Sequence, residues 1–146
     1  MAAARRPRVY DTSVYVNAIR SRQRRTLQEM AGAAAGLSMV VVFELLAGAD
    51  TSSERTEVLR MVEIYRRQDR LLVPSVEDWT RAGVIIANYA RQHGALKPRD
   101  HLADILITLA AARMSGEIVT VNLVDFRRWA RMLRRAGGDV LVSDRV

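Results

Sequence analysis

Apolar positions along the chain switch between two spacings. Short runs rich in β-branched residues occur at "RVYD" (8–11), "LSMVV" (37–41), "LLVP" (71–74), "EIVTV" (117–121) and "DVLVS" (139–143), and each reads as a strand. Between them the apolar residues recur at helical spacing. Helices are predicted over 13–21, over 24–36 with Gly36 closing it, and over 42–48 with Gly48 at its end. A long amphipathic helix over 51–68 has Thr51 or Ser52 at its N-cap and Val58, Met61, Val62 and Tyr65 on one face. The helix over 75–94 opens with a Ser-x-x-Asp capping pattern and closes at Gly94; further helices follow over 100–116 and 122–138.

Strands that alternate with helices imply βαβ units, and hence a mainly parallel sheet of about five strands with helices on both faces: a three-layer α/β/α sandwich. No repeat, low-complexity stretch or linker interrupts it, so 1–146 reads as one domain, with a short basic tail at 1–7. In such sheets ligands bind beyond the carboxyl ends of the strands. Chemistry is therefore expected there.

Composition narrows the class. At 146 residues, 49% hydrophobic and 27% charged, the chain can bury a real core. The absence of cysteine rules out a disulfide framework and a thiolate metal site, and fits a reducing cytoplasm. No segment resembles a secretory leader. The apolar stretch 31–49 holds three glycines, Ser38 and Glu44, and so makes a poor membrane span. The net charge is +7; Lys97 is the only lysine among 23 basic residues, leaving 22 arginines. A surface this basic favours a polyanionic partner, either nucleic acid or an acidic protein segment.

Four acids fall where the sheet rule points. Asp11 ends the first strand and also suits the N-cap of a helix starting at Thr12 or Ser13. Glu44 stands alone among apolar residues after the second strand. Asp104 lies early in the 100–116 helix, where Asp100 is the better cap. Asp125 follows the fourth strand, three residues after Asn122, with which it could form a capping-box variant. Two carboxylates about 4 Å apart repel by roughly 4 kcal/mol at an effective dielectric near 20. Four in one pocket call for a cation, and a hard divalent ion such as Mg²⁺ takes oxygen ligands and keeps several waters. Such an ion acidifies water for attack on a phosphodiester.

"VYDTSV", "VVFELLAG", "LADILITLAAA" and "VTVNLVDF", in this order and spacing, resemble the four signature segments of PIN-domain ribonucleases. The resemblance spans about residues 8 to 143, and the short length is similar to the VapC-like toxins of toxin–antitoxin pairs. It implies that Asp11, Glu44, Asp104 and Asp125 are catalytic and hold one or two Mg²⁺ or Mn²⁺ ions. Thr12, Ser13, Thr120 and Asn122 would orient a carboxylate or a water. It further implies an endoribonuclease acting on a structured RNA such as transfer RNA, a small antitoxin that occludes the site, and a homodimer within the toxin–antitoxin complex. Thr108 departs from a common alanine and Val121 from a frequent polar residue, which bears on pocket shape.

Two arginine groups could track RNA: Arg20, Arg22, Arg24 and Arg25 after the first helix, and Arg127 and Arg131 with Arg134 and Arg135 on the last long helix. Phe126 and Trp129 read as core. His93 ends one helix and His101 begins another, a placement that suits surface roles better than a catalytic pair. Aspartyl phosphotransfer fits poorly, because Ser13 stands where a second Asp belongs and Lys97 follows a helix. A non-catalytic PIN-like module that only binds RNA or protein is the remaining alternative.

Overall fold

The computed structural model describes residues 5–32 and 34–146. Five strands are present among them: β1 (Arg8–Tyr10), β2 (Leu37–Ser38), β3 (Leu71–Leu72), β4 (Glu117–Val119) and β5 (Leu141–Ser143). All pairings are parallel, β1 with β4, β4 with β5 and β2 with β3, and a bridge from Val9 to Gly36 joins the two ladders. The order across the sheet is thus β3-β2-β1-β4-β5. The chain leaves β1 first to one side and later returns on the other, so the switch point lies between β1 and β4.

Helices cover both faces. Successive side chains of a strand point to opposite faces, yet Arg8, Val9 and Tyr10 are all buried, as are Ile118 and Val119. The helices are α1 (Thr12–Arg20), α2 (Arg24–Gly32), α3 (Met39–Ala47), α4 (Ser52–Arg67), α5 (Val76–His93), α6 (Arg99–Arg113) and α7 (Leu123–Arg135). One core gathers β1 and α1 to α4 around Tyr15, Leu37, Val41 and Tyr65; a second lies between α5, α6 and α7 around Ile105, Leu109, Trp129 and Leu133. Phe126 and Trp129 are core residues, as their sequence pattern indicates. No helix among the described residues is long and apolar enough to cross a membrane.

Capping explains several boundaries. Thr51 and Ser75 each form a full capping box, with Glu54 and Asp78. Asp78, almost fully buried, also pairs with Arg113 at 3.1 Å, which ties the start of α5 to the end of α6.

Other boundaries differ from those read in the sequence. The second strand stops at Ser38 rather than 41, because its partner β3 is only two residues long and the Ser38 hydroxyl accepts from the Val40 amide to start α3. Helix α2 ends at Gly32 rather than at Gly36. Arg70 reaches across to donate to the Ala31 and Ala35 carbonyls, and Ala34 takes φ 54°. Gly36 instead faces the sheet, where a Cβ would lie 2.7 Å from Leu72 Cδ1. Asp100 does not cap α6: Pro98 holds the N-cap position without a side-chain bond, and Asp100 lies in the first turn. Asn122 caps nothing with its side chain. The N-terminal tail is tied down where it is described, since Arg6 pairs with Asp139 at 2.9 Å and the Pro7 carbonyl accepts from the Glu117 amide at 2.8 Å. Residues 1–4 of that tail lie outside the described residues.

Candidate metal centre

Each of the four acids is placed by a different element at the β1/β4 switch point. The strands part after Tyr10 and Val119, and the next residues are Asp11 and Thr120. Asp11 is the N-cap of α1. Its Oδ1 accepts the Thr12 amide at 2.7 Å, and its Oδ2 accepts the hydroxyls of Ser13 at 2.9 Å and Thr120 at 3.0 Å. Capping and site membership therefore coexist in one carboxylate. Thr120 Oγ1 also accepts the Asn122 amide at 2.9 Å, which fixes the hydroxyl between the two strand ends.

No Lys or Arg among the described residues pairs with Glu44. Its Oε2 accepts the Thr12 hydroxyl at 2.5 Å, and the residue is half-buried. Asp125 accepts from Asn122 Nδ2 at 2.9 Å and lies 3.5 Å from Arg128 Nη1. The Asn122–Asp125 contact is thus between side chains, not the capping box that the spacing suggested.

Asp104 sits half-buried in the second turn of α6, and no donor among the described residues reaches its carboxylate. Its pKa is pushed up to about 7, by burial first and then by the charges of Asp11, Asp125 and Glu44. Those three residues are the other members of the sequence-derived set. Acids as far as 93 positions from Asp104 in the sequence therefore act on it electrostatically.

The four are close but not drawn together. Among the described residues, no three His, Cys, Asp or Glu side chains stand near enough to hold a metal ion as they are. Asp11, Glu44 and Asp125 each accept from a donor of the protein. The donors are all carboxylate oxygens, which fits a hard divalent cation and not a thiophilic one.

The departures from the signature pattern have different consequences. The Thr108 hydroxyl bonds back to the Asp104 carbonyl at 2.7 Å, so it adds no polar group to the site. Val121 is 63% exposed beside Thr120.

The arginines divide. Arg20, Arg22 and Arg24 line a cavity of about 460 Å³ between α1, the α1–α2 turn and the start of α4. A smaller hollow of about 90 Å³ shares Arg20 and reaches Glu44. The larger cavity does not contain the acids. Arg25 does not join it and pairs with Glu29 at 2.9 Å. Arg127, Arg131, Arg134 and Arg135 are exposed on α7. His93 stacks on Tyr89 at 4.4 Å between centroids, and His101 on Trp129 at 5.4 Å, so each histidine belongs to an aromatic contact. Sequence reasoning missed Arg128, although its i, i+3 spacing from Asp125 was the available signal.

No protein-family model matches the chain, and no curated protein sequence matches it significantly. Solved structures do. A chain of VapBC2 from Rickettsia felis, crystallised bound to a DNA fragment from its promoter, superposes with a TM-score of 0.61 at 18% identity, covering 93% of this chain and 96% of that one. A chain of DNA-bound VapBC from Salmonella typhimurium gives 0.63 at 21% identity, covering 94% and 96%. At these identities the likeness establishes the fold, a mixed α/β architecture on a parallel sheet.

Proposed function

We propose that this chain is a metal-dependent endoribonuclease of the PIN-domain, VapC-like type, the toxin of a toxin–antitoxin pair. The observation that carries the reading is the meeting of acids from distant parts of the chain at the β1/β4 switch point: Thr12 links Asp11 to Glu44, Thr120 holds Asp11 from the end of β4, and Asp104, raised by burial first, also feels the charges of Asp11, Asp125 and Glu44. Structural sites seldom gather four acids at a topological switch point, whereas strongly perturbed carboxyls cluster at functional ones.

Asp11, Glu44, Asp104 and Asp125 would hold Mg²⁺ or Mn²⁺, as one or two ions. When bound, such an ion supplies Lewis acidity, which acidifies water and offsets charge on a phosphodiester. The protein's own groups do the positioning. Ser13 and Thr120 fix one oxygen of Asp11, Thr12 fixes Glu44, and Asn122 steers Asp125. Arginines at Arg20, Arg22 and Arg24 on one side, and at Arg127 and Arg131 on another, supply positive charge for an RNA backbone, transfer RNA being the class that the resemblance suggests. Arg25, engaged with Glu29 outside the cavity, contributes less.

An antitoxin partner accords with the VapBC complexes that share the fold. Phe43, Val121 and Val124 are strongly exposed, and each is adjacent in sequence to a residue of the acidic site or its support. Exposed apolar side chains next to site residues suit coverage by another protein. Dimerisation of the toxin within such a complex belongs to the same reading.

The test is cleavage of RNA by purified protein with Mg²⁺, with EDTA, and with Asp11→Asn. Cutting by the wild type in Mg²⁺ alone is the expected result. Equal cutting by Asp11→Asn, or cutting that survives chelation, overturns the catalytic assignment. RNA binding without cutting would leave a non-catalytic module.

A further inference from the structure

Arg128 differs from the other arginines in how its surface is spent. Its guanidinium lies 5.4 Å from the Tyr89 ring centroid and 5.7 Å from that of Trp129, two rings packed edge to face at 5.3 Å. Trp129 is fully buried in the second core, so the platform under the guanidinium is fixed. The side chain is 29% exposed, less than every other ion-paired arginine among the described residues except Arg8, at 10%. The guanidinium makes no hydrogen bond to another described residue. Its one ionic contact, to Asp125, is a single approach of 3.5 Å.

An arginine presents five N–H donors in a planar fork that matches phosphate oxygens two at a time. Here the fork is held by aromatic faces, with little side-chain entropy left to lose, and its donors are unspent. It stands at the edge of the acidic site. Neutralising Asp125 alone would be better served by a closer, bidentate pair. Binding a phosphodiester next to the acids needs a cation that stays in place once Asp125 turns to a metal ion, and the ring contacts hold Arg128 independently of Asp125.

We infer that Arg128 is a phosphate-binding residue: stacked on Tyr89 and Trp129, it takes a backbone phosphate of an RNA strand lying across the acidic site. The inference rests on the ribonuclease reading above.

The test measures binding of a fluorescein-labelled, single-stranded oligoribonucleotide of mixed sequence in Mg²⁺, with Asp11→Asn in every protein to prevent cutting. Adding Arg128→Gln should weaken binding about tenfold and lower the slope of log affinity against log salt by about 0.7, the value for one phosphate on a single strand. Arg128→Lys keeps the charge but loses the fork, and should recover the slope while remaining at least threefold weaker. Wild-type affinity and slope in Arg128→Gln overturn the inference. If Arg128→Gln does not fold, wild-type affinity in Arg128→Lys overturns it instead. Failure of the Asp11→Asn protein itself to bind RNA would count against the ribonuclease reading, a separate outcome.

Discussion

The Thr12 hydroxyl donates to Glu44 Oε2 at 2.5 Å, joining the first turn of α1 to the middle of α3 across 32 positions of sequence. The neighbouring Thr12 amide donates to Asp11. One residue thus orients two acids through two different groups.

Thr12→Val removes the hydroxyl and leaves Glu44 without a donor among the described residues. Cleavage should fall about tenfold, equivalent to roughly 1.4 kcal/mol, with Thr12→Ser recovering most of it. Rates under saturating Mg²⁺ check this; an unchanged rate in Thr12→Val would mean that Glu44 does not depend on Thr12.

Asp104 gives the metal-free protein a pH dependence of defined sign. The folded chain keeps a proton on this carboxyl up to about pH 7, whereas the unfolded chain loses it near the ordinary value of 3.8. Between those limits the folded state binds more protons, so stability declines as pH rises from 4 to 7. The full shift corresponds to about 4 kcal/mol, and partial exposure screens this to roughly 2 kcal/mol. Thermal unfolding in EDTA at pH 5 and pH 8 should show the decline. Asp104→Asn should flatten it, and Mg²⁺ at pH 8 should restore the wild type. A wild-type profile that matches Asp104→Asn in EDTA would contradict the shift.

Charge on α7 should govern the long-range part of RNA binding. Reversing both Arg127 and Arg131 to Glu is expected to weaken binding and reduce the salt slope by roughly 1.4, at 0.7 per phosphate. Fluorescence titrations across salt concentrations measure both quantities. Unchanged affinity at low salt would place the strand elsewhere.

Backbone crowding at Gly116 predicts a stability difference between two glycines. A Cβ there would lie 2.8 Å from the Pro7 carbonyl oxygen and 3.2 Å from that of Ala111, both main-chain atoms that cannot rotate away. Gly116→Ala should cost about 1–3 kcal/mol. Gly32, at the end of α2, has nothing within 4 Å of its Cβ position, and Gly32→Ala should gain roughly 0.5 kcal/mol. Urea unfolding separates the two; similar midpoints would refute the crowding.

The acids were legible because each lies in a recognisable segment: Asp11 and Asp125 follow strands, and Glu44 and Asp104 lie within helices, six residues into α3 and α6. Ser75 was legible for a local reason, since a capping box is written in four consecutive residues; Thr51 was one of two N-cap candidates, and its box with Glu54 decides for it over Ser52. What escaped depends on distant partners. Nothing near Ser38 reveals that β3 is two residues long, so Val40 and Val41 look like strand by propensity and are helix by context. Gly36 looks like a helix stop until Arg70, from beyond α4, is seen closing α2 earlier. Arg128 is one of several arginines on α7; its i, i+3 spacing from Asp125 was visible, but the Tyr89 and Trp129 rings that hold it were not.

The pairing of β1 with β4 has a consequence for how the molecule is made. Thr120 meets Asp11 across 109 residues, and Asp125 comes later still. A nascent chain that reaches only to β3 contains the segments of α1 to α4 but neither β4 nor α7, so it carries two of the four acids. Whatever activity the protein has is withheld until Asp125 has been synthesised, by topology alone.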